Sequence, residues 1–228
     1  PLSILKSETI ETLCDKVFRL VSVGSKRFLT NKVDRSVTGL IAQQQCIGPS
    51  HMPLSNYAVV AQSHFSNFGA ATAIGEQPIK GILSPISMAD MTVSELITNI
   101  MWVYITGLQD IKVSGNWMWN IHKEGEKHAL YETCKRMCDL IKYFGFALDG
   151  GKDSLSMSTT VNKKNITSPR QLVLSGYATC QDVNIRVTPE LKSTESNIIF
   201  IDIAEGYERM GGSSLAHVLN QVGNEPPF

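Results

Sequence analysis

The chain has 228 residues, enough to bury a substantial core without disulfide staples, and its 43% hydrophobic and 18% charged residues are those of an ordinary globular domain rather than a disordered one. Its 21 basic and 21 acidic residues balance to a formal net charge of +0, which removes any general electrostatic reason to expect nucleic acid or an anionic membrane as a partner. The five cysteines are scattered with no CxxC or zinc-ribbon spacing, and no apolar run reaches the roughly 20 residues that a membrane span needs, so the expectation is reduced, core-packing thiols in a cytoplasmic protein.

In chain order, Pro1-Leu2-Ser3 opens without an initiator Met or a signal-peptide pattern, which reads as an interior segment of a longer polypeptide. Leu2, Ile4, Leu5, Ile10, Leu13, Val17 and Leu20 recur near helical spacing and predict a helical lead-in over 1–26, packed on something outside the segment. A turn and then a strand are expected across 32–45, and Tyr57–Ala61 and Gly69–Glu76 read as further strands. Pro85 sits at a helix start, and Met88, Met91, Val93, Leu96, Ile97, Ile100, Met101 and Tyr104 follow with a helical period. Ile111–Ser114 reads as a strand and 125–144 as a second long helix, with Leu130, Cys134, Met137, Leu140 and Ile141 on one face. Residues 150–154 are expected to form a loop and 171–179 a strand. A polar linker follows over 188–197, then a strand over Ile198–Ile203 and a short helix opened by Gly211-Gly212-Ser213-Ser214. Alternating helices and strands predict an α/β fold, in the sense of α+β layers around a sheet.

Two places carry chemistry on residue type alone. In Gly150-Gly151-Lys152-Asp153-Ser154, paired glycines let backbone N–H groups approach an anion, and the lysine, aspartate and serine suit a phosphate ester or a nucleotide with its metal. A plain turn with solvated charges explains the same residues. Glu95 and Asn99, four apart, project oxygen-bearing side chains from one face of the long helix, as ligands of a shared hard cation such as Mg²⁺ would. An ordinary helix-surface pair has that spacing too. Asp34-Arg35 fits a turn cap and Gln43-Gln44-Gln45 edge-strand polarity. Ser213 fits a helix N-cap better than an anion site. Cys134 and Cys138, one helical turn apart, fit core packing better than a metal site, and the five histidines show no metal spacing.

Taken together, Val33-Asp34-Arg35-Ser36-Val37-Thr38-Gly39, Gln43-Gln44-Gln45-Cys46-Ile47-Gly48-Pro49, Ile74-Gly75-Glu76-Gln77-Pro78, Ser114-Gly115-Asn116-Trp117-Met118-Trp119 and Gly150-Gly151-Lys152-Asp153-Ser154-Leu155-Ser156-Met157 closely resemble phosphoribosylformylglycinamidine synthase of the large, single-chain type. The resemblance runs from about residue 27 to the end. It is to the second of two pseudo-symmetric halves, each similar to aminoimidazole ribonucleotide synthetase. It implies an amino-terminal α/β domain over 27–190 and the truncated start of a carboxy-terminal domain over 196–228.

The resemblance also implies an ATP-dependent ligase that converts formylglycinamide ribonucleotide and glutamine to formylglycinamidine ribonucleotide, ADP, phosphate and glutamate. A glutaminase domain elsewhere in the same polypeptide would supply ammonia. No catalytic residue is expected in this segment, which would be inactive alone. By position, the resemblance places Mg²⁺ of an auxiliary, tightly held ATP or ADP at Asn56, Glu95 and Asn99, a nucleotide contact at Ser55, and ATP and substrate contacts at Gly151 and Ser154. Where the large enzymes usually carry Ala-Asp, this chain has Ser55-Asn56, and the amide keeps a carbonyl oxygen but lacks the charge. Two alternatives stand beside this reading. One is another enzyme of the aminoimidazole ribonucleotide synthetase superfamily, such as selenophosphate synthetase, and the other is a non-catalytic module that traps a nucleotide.

Overall fold

A computed structural model of the chain describes residues 2–30, 39–204 and 206–227. Its strands are β1 (Ile41–Gln43), β2 (Tyr57–Ala61), β3 (Gly69–Glu76), β4 (Lys112–Met118), β5 (Ala147–Ser154), β6 (Ser158–Val161), β7 (Lys164–Thr167) and β8 (Gln171–Cys180). Six of them form one sheet in the order β1-β2-β3-β8-β4-β5, and β6 and β7 form a separate hairpin. All pairings in the large sheet are antiparallel except β4 with β5. A parallel pair needs a long crossover. The helix between those two strands supplies it.

The helices are α1 (Ile10–Phe18), α2 (Arg27–Thr30), α3 (Pro78–Leu83), α4 (Pro85–Ile100), α5 (Glu126–Phe144) and α6 (Ser214–Val218). Ser84 starts α4 by accepting a hydrogen bond from the Ser87 N–H at 3.1 Å, with Pro85 at the first helical position. Gly145, at φ +80°, ends α5 in the left-handed conformation that glycine adopts without a Cβ penalty. The two helices are tied by Arg136 Nε, which donates to Asp90 Oδ1 at 2.6 Å, and by the Thr133 hydroxyl, which donates to Pro85 O at 3.2 Å.

Strand alternation decides where the core lies. Tyr57 and Val59 on β2, Ala71 and Ala73 on β3, Val113 on β4, and Leu172, Leu174 and Ala178 on β8 are buried, against Met88, Val93, Leu96 and Ile100 of α4 and Met137 and Ile141 of α5. Thr72, Ile74, Lys112, Ser114, Ser175 and Tyr177 alternate with them and are exposed. Helices therefore cover one face of the sheet and leave the other open, an α+β layer arrangement. Glycine sets how closely α4 seats. A Cβ on Gly75 would lie 2.0 Å from Thr92 O, and one on Gly176 would lie 2.8 Å from Leu96 Cδ1.

The structure corrects several sequence expectations. Residues 150–154 belong to β5, an edge strand, because β4 offers their backbone a parallel ladder from Ser114↔Gly150 to Met118↔Ser154. The lead-in helix α1 touches α6 within this chain, and Ser3 and Gln221 exchange two hydrogen bonds of 2.8 Å, but α1 buries no residue, and Leu5, Ile10 and Phe18 are exposed. Ile198–Ile203 is apolar and exposed but forms no strand, since no ladder partner faces it among the described residues. Cys14 and Cys134 are exposed, although Cys46 and Cys180 are buried as expected. Gln43 is buried, and its Oε1 accepts a 3.0 Å hydrogen bond from Arg186 Nε. Ser213 caps α6 by accepting from the Ala216 N–H at 3.1 Å. The Val33–Thr38 motif, with the Asp34-Arg35 turn, lies outside the described residues. No helix among the described residues is long and apolar enough to cross a membrane.

Candidate functional site

The end of α4, the start of β2 and the segment 187–189 enclose a cavity of about 290 Å³. Asn56 enters from the turn before β2, Asn99 from the last turn of α4, and Trp102 from just beyond it. The far wall is Val187-Thr188-Pro189. Tyr57 locks that wall in place, because its buried hydroxyl donates to Val187 O. Burial pushes the Tyr57 phenol above its ordinary pKa, against the opposing pull of Arg186, so the proton that makes this bond stays on through neutral pH.

The α4 pair meets β3 where β2 has ended. The β2–β3 ladder stops at Tyr57↔Ala73, so Ile74, Gly75 and Glu76 pair only with β8. Asn99 Nδ2 donates to Ile74 O at 2.9 Å, and Glu95 Oε2 accepts from the Glu76 N–H at 2.7 Å and from Gln77 Nε2 at 3.0 Å. Both side chains thus satisfy backbone groups that the sheet leaves open. They also become fixed in orientation. With its amide nitrogen committed to Ile74, Asn99 has Oδ1 as the end available to the cavity it lines. Glu95 keeps Oε1 outside the two hydrogen bonds. Lys80 lies close enough to feel the Glu95 charge: burial lowers its ammonium pKa, the carboxylate opposes that, and Nζ donates to Gly212 O at 2.9 Å.

The resemblance implies a divalent cation at this donor set. Asn56, Glu95 and Asn99 offer oxygen atoms, the donors that Mg²⁺ takes. They bring one negative charge among them, and no group of three or more His, Cys, Asp or Glu side chains placed to hold a metal occurs among the described residues. One carboxylate and two amides fit a magnesium ion shared with the phosphates of a nucleotide, which carry the missing charge, and do not fit a self-sufficient protein cage. Ser55 is differently engaged. Its N–H donates to Gln45 O at 2.7 Å and its hydroxyl to Tyr57 O at 3.0 Å, so both of its donors shape the turn that presents Asn56.

Gly151 and Ser154 stand apart from this cavity. Four strand spacings separate β2 from β5 in the sheet order, about 19 Å in all. Residues 147–153 are exposed along the sheet edge, where Asp149, Lys152 and Asp153 place charges of the kind that discourage edge-to-edge pairing. Ser154 O accepts a 2.8 Å hydrogen bond from the Trp119 N–H, and its hydroxyl accepts one from Lys152 Nζ. Beyond the strand, Ser156 pairs with Asn120 and lies 3.2 Å from His122 Nε2. The structure therefore brings Ser55, Asn56 and Asn99 to one cavity, sets Glu95 one helical turn away, and leaves Gly151 and Ser154 at a separate edge.

Sequence reasoning missed Trp102, Tyr57, Val187 and Pro189 as lining residues. Trp102 follows the helix it was read with, and 188–197 reads as a solvated linker, so only tertiary contact reveals that its first residues are docked.

A model of the FGAR-AT PurM_N-like domain matches residues 25–179, most of the described sheet and both long helices. The chain belongs to the FGAR-AT PurM_N-like domain family. Among curated relatives of this domain, phosphoribosylformylglycinamidine synthase of Dictyostelium discoideum is 50% identical over 93% of the chain and 16% of that protein. The Homo sapiens protein of the same name is 45% identical over 100% of the chain and 17% of its own length. The chain thus spans about one sixth of the relatives it matches. The structure of PurLQS from Thermotoga maritima superposes on the domain with a TM-score of 0.55 at 15% identity, covering 72% of this chain and 25% of that one. That likeness shows the fold.

Proposed function

We propose that this FGAR-AT PurM_N-like domain is an interior segment of a phosphoribosylformylglycinamidine synthase, inactive alone, whose α4–β2 cavity holds an auxiliary nucleotide. The parent would be a cytoplasmic ligase that uses ATP to activate the amide oxygen of formylglycinamide ribonucleotide, which ammonia from a glutaminase domain then attacks. The observation that carries the reading is the convergence of Asn56 and Asn99 on a cavity beside Glu95, in a chain 45% to 50% identical to curated relatives of that name over 93% or more of its length.

In this reading Asn56, Glu95 and Asn99 would hold Mg²⁺, which when bound supplies positive charge to offset the phosphates. The chain's own contribution is positioning. Glu76, Gln77 and Ile74 fix the two α4 side chains, and Tyr57 fixes the opposite wall. The β5 edge would contribute separately, through Gly151 and Ser154, to the synthetase site that binds ATP and formylglycinamide ribonucleotide. That assignment is tested by Ser154→Ala in the full-length parent, which is expected to raise the KM for formylglycinamide ribonucleotide with an intact melting temperature. An unaltered KM removes Ser154 from the substrate site. The segment expressed alone is expected to form no amidine product, and turnover by it would overturn the proposal.

A further inference from the structure

We infer that Trp102 is the base platform of the nucleotide in the α4–β2 cavity, and that this indole face, rather than the oxygen cluster, favours a nucleotide over a bare polyphosphate. The inference rests on the reading of the cavity as a nucleotide site.

The cavity is lined by residues of two chemical kinds. Its lining combines the amides of Asn56 and Asn99, with Glu95 one turn away along α4, and the larger apolar surfaces of Trp102, Val187 and Pro189. A volume of about 290 Å³ lies at the small end for ligand pockets. Phosphates suit the oxygen-bearing lining and a base suits the apolar lining. Trp102 is 48% exposed, far more than the fully buried Trp119, and its ring stacks on no other aromatic ring among the described residues. A large aromatic surface held half open in a pocket is what a flat base stacks on.

The main chain that carries this ring is fixed without using its side chain. Val187 N–H donates to Trp102 O at 2.8 Å and Tyr104 N–H donates to Ile185 O at 3.1 Å, so residues 102–104 and 185–187 form a short clamp around the Val103–Arg186 bridge. Arg186 anchors the outer half of that clamp on β1, donating to Ala42 O and Gln43 Oε1 at 3.0 Å each. The main chain at Trp102 is thus tied to the sheet as well as to the end of α4. Replacing the indole leaves every one of these hydrogen bonds in place.

The test uses the full-length parent, loaded with ADP and Mg²⁺ and freed of excess by gel filtration. Release of the retained ADP is followed after dilution, together with magnesium content and melting temperature. Trp102→Ala and Trp102→Leu are expected to release ADP about tenfold faster or more, with Trp102→Phe close to wild type, because Phe keeps an aromatic face and Leu keeps only bulk. Wild-type fluorescence is expected to rise as ADP leaves, by an increment absent from Trp102→Phe. Equal release rates in wild type and Trp102→Leu would overturn the inference, as would release that quickens equally in Trp102→Phe. If Glu95→Gln sheds ADP while Trp102→Leu keeps it, the nucleotide site stands and the base platform falls. If wild type and Glu95→Gln both fail to retain ADP, the reading of the cavity itself falls.

Discussion

Asn56 is the residue on which the chemistry of the cavity turns. It stands in an exposed turn held by Ser55, and its amide offers a carbonyl oxygen where a carboxylate would add a second negative charge beside Glu95. Asn56→Asp is therefore expected to tighten magnesium-dependent nucleotide retention in the parent protein. Retention that is unchanged, measured as nucleotide bound after gel filtration, would show that Asn56 does not face the cation. A second charge matters for stability rather than binding. Glu126 accepts from buried Trp119 Nε1 at 2.8 Å and takes a two-pronged pair from Arg170, at 2.8 and 3.0 Å. The Arg170 hydrogen bonds lower the Glu126 pKa, outweighing the burial that opposes them. A carboxylate lowered on folding stabilises the fold above its unfolded pKa, about 4.3, and loses that contribution as pH falls through the folded value. Melting temperature is expected to drop below about pH 4, and Glu126→Gln is expected to flatten that drop while lowering the plateau at neutral pH.

At the scale of elements, the placement of α4 is the structural event that makes the cavity. The helix lies on β3 at Gly75 and on β8 at Gly176, and this close approach lets Glu95 and Asn99 reach the end of β3. Gly75→Ala forces a methyl group against the α4 backbone at Thr92, so it is expected to cost about 1–3 kcal/mol and to disturb nucleotide retention as well. Urea unfolding with the wild-type midpoint would contradict that. The helices α4 and α5 were legible because their apolar residues repeat with the helical period and one sheet face buries them. Strand β5 was not, because Ala-Leu-Asp-Gly-Gly-Lys-Asp-Ser has no apolar alternation and owes its ladder to the backbone of β4. Ile198–Ile203 failed in the opposite sense: apolar character suggested a strand, but a strand exists only with a partner. Strands β6 and β7 escaped for a third reason. They form an exposed polar hairpin turned by Asn162 and Lys163 at positive φ, which lacks the Gly that marks such turns.

For the whole molecule, the sheet carries its two candidate ligand regions at opposite ends of the strand order, with helices on one face and the other face open. The motifs legible in the sequence mark both regions, and the resemblance implies different ligands at each, but their distance apart comes from the strand order, which no spacing along the chain contains. The same holds for the apolar half of the cavity, built from residues 46 apart in Asn56 and Trp102 and from a segment beginning at Val187. Because the chain spans about one sixth of its relatives, the account must be tested in the parent protein. The most direct measurement is the nucleotide and magnesium content of purified full-length parent, wild type against Glu95→Gln, which keeps an oxygen acceptor for the Glu76 N–H and removes the charge. Retained nucleotide with magnesium is expected in the wild type, and loss of both in Glu95→Gln at a similar melting temperature. Equal contents in the two proteins would contradict it.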